Sequence, residues 1–117
     1  MNRSEPDDEQ YITYEEFSKV HLKIGKVIQA EKVPGMKKIL KVRVDIGMEQ
    51  RDLAVGAALY YAPEELVGKA VVICTNLEPK KIGSIISNGM LLAAVGSEGR
   101  PIFLTITEDI EVGSMIQ

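Results

Sequence analysis

The stretch LKIGKVIQAEKVPGMKKILKVRVDIG, residues 22–47, determines the fold class of this 117-residue chain. Every second residue from Leu40 to Ile46 is apolar and the residues between are charged, a period of two that predicts a strand with one buried face. Residues 22–33 form another β-rich stretch, in which Gly25 predicts a bulge or bend. The Pro34-Gly35 pair predicts the turn between the two strands.

Four further strands are predicted downstream, over residues 51–59, 70–77, 90–95 and 102–106. Residues 63–67 lie between the third and fourth strands and predict a short helix, because proline suits a first helical position and Gly68 ends the segment. Thr13 and Glu16 have the spacing of a capping box, which predicts another short helix before the first strand.

Five strands with a helix between the third and fourth are the order expected of an OB-fold, a small Greek-key barrel. The predicted fold class is therefore all-β: an OB-fold five-stranded antiparallel barrel with short helices and C-terminal extension strands. The residues predicted to be buried in it are Val42, Val44, Val72 and Leu92.

Composition excludes several classes of protein. Hydrophobic residues make up 45% and charged residues 26%, which is ordinary for a globular domain. The chain has no apolar run of membrane-spanning length, and its acidic start does not resemble a signal peptide, so we expect a cytoplasmic protein with no membrane partner. Residues 1–11 are predicted to form a flexible acidic tail. The single cysteine, Cys74, predicts a core residue and neither a disulfide nor a zinc site.

Charge is strongly segregated along the chain. Residues 1–18 carry one base and six acids, whereas residues 19–43 carry eight bases and the single acid Glu31, a local charge of +7. Such a run is commonly a solvated face, and it can equally form a patch for an anionic partner. The sequence pattern alone leaves both interpretations open.

Two predicted loops narrow this choice. OB-fold ligands lie against strands 2 and 3, between the loops that join strands 1 to 2 and strands 4 to 5. These loops are predicted over residues 33–38 and 76–81, and each contains a Lys-Lys pair. Lysines at the rim of a groove suit a phosphate backbone, because each neutralised phosphate releases condensed counterions. With only 5% aromatic residues, the face favours recognition of RNA shape and backbone over stacking of successive bases.

Three longer stretches carry a family resemblance. They are FSKVHLKIGKVIQAEKVPGMKKILKVRVDIG (residues 17–47), YYAPEELVGKAVVICTNLEPKKI (60–82) and SNGMLLAA (87–94). In this order and spacing they resemble the tRNA-binding domain that occurs as a free-standing structure-specific tRNA-binding protein and as the C-terminal domain of methionyl-tRNA synthetases. The resemblance implies that residues 12–117 form an OB-fold tRNA-binding domain, a homodimer that assists an aminoacyl-tRNA synthetase in trans. Export-chaperone-like relatives share the pattern, so a peptide-binding module is the alternative.

The resemblance also implies an RNA-binding set. Its lysines would meet phosphates, its short polar side chains would contact sugar hydroxyls or base edges, and its methionine would offer an apolar surface to an unstacked base. The implied residues are Lys38, Lys41, Asn76, Lys80, Lys81, Ser87 and Met90. Met90 suits the core equally well, and Ser87 to Gly89 suit a plain turn. Glu78 stands where the family often has a basic residue, and Gly83 lacks the bulky or basic side chain of some members.

No catalytic motif is present in the sequence. It has no Gly-rich phosphate loop, nucleophile elbow or Cys/His cluster, so we predict a binding protein that is not an enzyme and needs no cofactor or metal. His21, the single histidine, is predicted to be structural. Apolar side chains beyond the needs of one small barrel agree with the implied homodimer. They are Phe17, Ile102, Phe103, Leu104, Met115 and Ile116.

Overall fold

The structure is a computed structural model that describes residues 10–117. Most of the predicted tail, residues 1–9, lies outside the described part of the chain. The elements are α1 (Tyr14–Phe17), β1 (Leu22–Val33), β2 (Met36–Asp45), β3 (Gln50–Val55), α2 (Pro63–Leu66), β4 (Ala70–Cys74), β5 (Lys80–Ile82), β6 (Ile85–Ser87), β7 (Met90–Leu91), β8 (Ala93–Val95) and β9 (Pro101–Phe103).

All strand pairs are antiparallel, and they form three sheets. The main sheet has five strands in the order β3-β2-β1-β4-β7, while β5 pairs with β6 and β8 pairs with β9. The predicted all-β antiparallel class is confirmed, with α2 between β3 and β4 as expected. No helix among residues 10–117 has the length and apolar character needed to cross a lipid bilayer.

The first two strands form as the sequence predicts. The turn at Pro34-Gly35 joins them. Gly35 has a φ of +81°, a backbone conformation that residues with a Cβ adopt only under strain. The bulge in β1 lies at Ile28, where the register with β2 shifts, and not at Gly25. Gly25 is needed for packing instead: a Cβ there would lie 2.6 Å from the Ile73 side chain.

The core lies inside the curved main sheet. Leu40, Val42 and Val44 on β2 have no exposed surface, as the alternation predicts, and Val72 on β4 is 5% exposed. The prediction for Leu92 is wrong, because this residue is only half-buried. Leu92 lies between β7 and β8, so the single strand predicted over residues 90–95 is two short strands with different partners.

Other strand boundaries also differ from the prediction. β3 and β4 end earlier than predicted, at Val55 and Cys74, and the last strand covers residues 101–103 instead of 102–106. The β5–β6 hairpin was not predicted from the sequence. Its three-residue strands are too short to show a period of two. Lys80 and Lys81 therefore begin a strand and do not lie in a loop.

Hydrogen bonds from β3 bring the hairpin against the main sheet. The backbone N–H of Ala54 donates to Ser87 Oγ at 3.0 Å, and the N–H of Asn88 donates to the Asp52 carbonyl at 2.9 Å. Among residues 10–117 no continuous backbone ladder joins the two edges of the main sheet. The barrel is OB-like, and contacts between β3 and β6 take the place of a closing ladder.

The carboxyl end of the chain lies along the first half of β1, which β2 leaves unpaired. The N–H groups of Gly113 and Ile116 donate to the carbonyls of Ile24 and Leu22. The C-terminal segment is therefore part of this fold.

Candidate nucleic-acid interface

The β5–β6 hairpin, which begins with Lys80 and Lys81, meets the β1–β2 turn. Gly83, in the turn of the β5–β6 hairpin, has a φ of +60°, and a Cβ built there would lie 2.6 Å from Met36 Sδ. Met36 is the first residue of β2, directly after the β1–β2 turn. The small residue at position 83, a departure from the family pattern, thus leaves room for the methionine and lets the hairpin rest on the β1–β2 turn.

The two lysines of the hairpin point to opposite faces, because successive side chains of a strand alternate between its two faces. Lys80 pairs across the hairpin with Ser87, which is 6% exposed, so this pair faces inward. Lys81 pairs with Ile86, which is 64% exposed, so that pair faces solvent. The two adjacent lysines therefore have different surroundings.

A groove of about 600 Å³ lies between the hairpin, the end of β3, and strands β7 and β9, and we call it the hairpin groove. Its floor is mostly apolar, and its charged side chains are Glu78 and Lys80. The lining residues are Ala54, Val55, Gly56, Leu77, Glu78, Lys80, Ile82, Ser87, Gly89, Met90, Leu91, Ala93, Pro101 and Phe103. Three residues of the implied RNA-binding set, Lys80, Ser87 and Met90, line the groove together.

Lys38 and Lys41 lie outside the groove. Lys38 is exposed near the start of β2, and its backbone carbonyl accepts a hydrogen bond from Ala58. Lys41 lies on the outer face of β2, directly opposite Glu31 on β1. An acid placed opposite offsets part of the charge that Lys41 offers to an anionic partner.

The basic block of residues 19–43 does not form one patch. Arg43 is paired with Asp52 at 2.9 Å, and Lys26 lines a depression that Asp109 also lines. The bases that remain near the β1–β2 turn are Lys32, Lys37 and Lys38. Together with Lys80 and Lys81 of the adjacent hairpin, we call these the rim lysines. Among residues 10–117 no ion pair involves any of them.

The side-chain amide of Asn76 forms hydrogen bonds within the chain. Its Oδ1 accepts a hydrogen bond from the backbone N–H of His21 at 2.9 Å, and its Nδ2 donates to the carbonyl of Lys19 at 2.6 Å. These bonds fasten the segment after α1 to the end of β4. In this conformation both polar atoms of Asn76 have protein partners.

Ser87 is similarly engaged. Besides accepting from Ala54, its hydroxyl donates to the Gly89 carbonyl at 3.2 Å, and the residue is buried. Its short side chain therefore stabilises the contact between β3 and the hairpin. Met90, by contrast, is 50% exposed at the groove, so contact with a ligand is open to it.

Contacts of Arg51 hold the end of β4 in place. Arg51 on β3 donates to the Thr75 carbonyl and pairs with Glu49 at 3.2 Å. The hydrogen bond that Arg51 Nη2 donates to Glu49 Oε2, together with the positive charge of Arg51, lowers the pKa of the Glu49 carboxyl. Residues 10–117 contain no group of three or more His, Cys, Asp or Glu side chains suited to a metal ion.

The sequence prediction missed the floor of the groove. Phe103 packs against Tyr61 with ring centroids 5.4 Å apart, and the Tyr61 hydroxyl donates to the Pro101 carbonyl at 2.7 Å. Arg100 stacks 4.6 Å from the centre of the same ring. These contacts join residues about forty positions apart, which no local pattern reveals; the apolar run Ile102-Phe103-Leu104 is the available signal.

Known proteins resemble the chain in sequence and in fold. Residues 22–115 match the family described as Putative tRNA binding domain. The methionine–tRNA ligase of Caldanaerobacter subterraneus is 48% identical over 106 residues, which are 91% of this chain and 16% of the ligase. That of Methanocaldococcus jannaschii is 44% identical over 101 residues, or 86% of this chain and 16% of the ligase. The chain thus spans less than a fifth of these relatives.

Solved structures agree with this relation. A MetRS related protein from Pyrococcus horikoshii matches with a TM-score of 0.87 at 36% identity, over 93% of this chain and 100% of that chain. The chaperone CsaA from Bacillus anthracis matches with a TM-score of 0.84 at 25% identity, over 92% of this chain and 100% of that chain. Because the family match extends over residues 22–115 and the ligase relatives reach 48% identity, the chain belongs to the family of putative tRNA binding domains.

Proposed function

We propose that this chain is a cytoplasmic protein that binds tRNA in a structure-specific manner through the rim lysines and the hairpin groove, as a binding module and not as an enzyme. The observation that carries the proposal is the close approach of Gly83 to Met36, which sets the β5–β6 hairpin with its two lysines beside the β1–β2 turn with its own. Lysines without ion-pair partners in the described part of the chain keep their charge available for phosphates.

The side chains of this surface favour recognition of the RNA backbone and shape over recognition of the base sequence. Five lysines at the rim supply contacts that are independent of base identity, whereas the groove offers room for few bases. Asn76 and Ser87 support this interface from behind, because their hydrogen bonds hold the end of β4 and the hairpin in place. The implied contacts of Lys38, Lys41 and Met90 with RNA are part of the same proposal.

A salt titration of tRNA binding tests the proposal. The double variant Lys80→Ala/Lys81→Ala should bind more weakly and flatten the slope of log affinity against log salt by about one to two units. Lys26→Ala/Lys69→Ala is the matched control, because it removes two exposed charges that do not line the hairpin groove. If both double variants lose affinity equally, binding depends on total charge and the site is wrong. If the unsubstituted chain does not bind tRNA at all, the function is wrong.

We also propose that the chain acts as a homodimer. Helix α1 buries none of its residues against its own chain, and Tyr14 and Phe17 are 81% and 47% exposed. On the C-terminal side Ile102 and Met115 are also about half exposed. A second copy would cover these surfaces. Light scattering at micromolar concentration should give twice the mass of 12.9 kDa, and a monomer mass would contradict the proposal.

Assistance to a synthetase in trans is the remaining part of the proposal. In the ligase relatives the matching segment is 16% of a larger protein, and in this proposal the chain supplies an equivalent segment to a ligase from outside. Adding the chain to a methionine–tRNA ligase that lacks such a segment should lower KM for tRNA. An unchanged KM at saturating chain would exclude this role.

A peptide-binding, chaperone-like role is the alternative. The largely apolar floor of the hairpin groove and the similarity to the chaperone CsaA favour it. In that case an unfolded polypeptide should bind with little dependence on salt and should compete with tRNA. Strong salt dependence together with no competition by the polypeptide would exclude the alternative.

A further inference from the structure

The hairpin groove, which we propose to hold RNA, is lined by one acidic residue, Glu78. Glu78, Lys80 and Ile82 line the groove, whereas Pro79 and Lys81 do not. Leu77 lines it too, so the lining begins in the segment before β5 and continues along the inward face of the strand at Lys80 and Ile82. Glu78 and Lys80 therefore border the same apolar space with opposite charges.

Among the described residues, neither Glu78 nor Lys80 forms an ion pair. Within residues 10–117 the ion pairs join Arg43 to Asp52 and Arg51 to Glu49, and Glu78 is exposed. A free carboxylate repels phosphates, so at the rim of an RNA site it lowers affinity unless it accepts hydrogen bonds from the ligand. The donors that RNA offers to a carboxylate are base N–H groups and the 2′-hydroxyl.

The groove has the size and the floor for one base. At about 600 Å³ it lies within the range of roughly 300–1,000 Å³ typical of ligand sites. Met90, Leu91 and Phe103 provide apolar surface, the kind on which an unstacked base is held in proteins that read extruded bases. Lys80 at the same rim is placed to hold the phosphate of that nucleotide.

Among the four bases, guanine complements a carboxylate best. Its Watson–Crick edge has two adjacent donors, N1–H and the N2 amino group, which two carboxylate oxygens can accept together. Adenine, cytosine and uracil each place an acceptor nitrogen or carbonyl beside their donor, and this acceptor would face the negative charge. The difference is one of hydrogen-bonding pattern, because any base fits the apolar floor.

We propose that the hairpin groove holds one unpaired guanine of the bound RNA, with Glu78 accepting from its Watson–Crick edge and Lys80 contacting its phosphate. This inference rests on the proposed function, since it names the base that the same site reads. It makes Glu78 a specificity-determining residue and explains why an acid is tolerated beside a lysine pair.

Kethoxal footprinting of total tRNA tests the proposal directly, because this reagent modifies N1 and N2 of unpaired guanine. The unsubstituted chain should protect an unpaired guanine, read as a lost reverse-transcription stop. Glu78→Gln should abolish this protection and lower tRNA affinity about tenfold. Glu78→Lys should abolish it as well, while steepening the salt slope by about 0.7–0.9 because one positive charge is gained.

The matched control is Glu64→Gln, which removes an exposed acid of α2 outside the groove and should leave the protection intact. If tRNA binds and no guanine is protected, or if the protection survives in Glu78→Gln, the inference is overturned and the proposed function stands. If tRNA does not bind the unsubstituted chain at all, the proposed function fails and this inference falls with it. Displacement of the protected guanine by an unfolded polypeptide would likewise overturn it in favour of a peptide groove.

Discussion

The segment that follows β4 and strand β5 of the hairpin are adjacent in the chain, yet their polar side chains are used in opposite ways. At Asn76 both amide atoms are bonded to the backbone of the segment after α1. On the hairpin, neither lysine has an ion pair among the described residues. The family resemblance implies RNA contact for Asn76 and for both lysines, although their surroundings differ.

Hydrogen-bond occupancy separates the two groups. A side chain whose polar atoms are already bonded in the chain stabilises the interface, and it contacts a ligand only after those bonds break. A side chain with free polar atoms is available to a ligand without that cost. We therefore expect substitutions of Asn76 and Ser87 to act mainly on stability, and substitutions of the lysines to act on binding.

Ser87→Ala should have the largest effect on stability. It removes the acceptor for the Ala54 N–H and the donor to the Gly89 carbonyl in a buried place, so unfolding should cost about 2 kcal/mol less. Thermal denaturation should show a melting temperature lower by roughly 8 °C, with an unchanged salt slope for the protein that remains folded. Ser84→Ala, an exposed serine of the same hairpin turn, is the control and should leave the melting temperature unchanged. An equal loss in both variants would contradict the role of the Ser87 hydroxyl.

Asn76→Ala should have a smaller effect, because water reaches this exposed side chain and replaces part of what is lost. We expect a loss of about 1 kcal/mol in denaturant unfolding. Asn76→Asp keeps an acceptor for the His21 N–H but sets a carboxylate oxygen against the Lys19 carbonyl, so it should lose at least as much stability as Asn76→Ala. A tRNA affinity that drops tenfold while stability stays constant would place Asn76 in direct contact with RNA and contradict its structural role.

Gly83→Ala tests whether the hairpin and the β1–β2 turn are held together by close packing. A left-handed φ of +60° and the nearby Met36 side chain both oppose a Cβ, at a cost of about 1 kcal/mol. In the double variant with Met36→Ala the steric part should disappear, so that the two losses in unfolding free energy are less than additive. Strict additivity would show that the two segments do not meet in solution.

Much of this fold follows from short-range patterns, and the site does not. The alternation from Leu40 to Ile46 and the Pro34-Gly35 turn predict β1 and β2 correctly, because strand periodicity and turn chemistry are local properties. The groove depends on Phe103 reaching Tyr61 and on Ser87 reaching Ala54. Pairings over such distances are set by packing of the whole chain, so a family resemblance can name the residues without showing which ones are already bonded.

The smallest effect on stability is expected when Lys80 and Lys81 are substituted one at a time, and these two variants test whether the inward and outward faces of the hairpin differ in RNA binding. Exposed lysines contribute little to folding, so Lys80→Ala and Lys81→Ala should each change the free energy of unfolding by no more than about 0.5 kcal/mol. Their effects on tRNA binding should differ, because Lys80 lines the groove and Lys81 shares the outer face with Ile86.

Lys80→Ala should flatten the slope of log affinity against log salt by about 0.7–0.9, the value for one lost phosphate contact. Lys81→Ala should flatten it by less, because its ammonium reaches a phosphate only from the solvent side of the hairpin. Arginine at either position is the control, since it keeps the charge and should restore the slope. Because both variants lose the same charge from adjacent positions, a purely long-range electrostatic effect predicts equal slopes. Equal slopes would therefore mean that the strand geometry of β5 does not direct RNA into the groove, whereas a larger effect at Lys80 ties binding to the inward face of the hairpin.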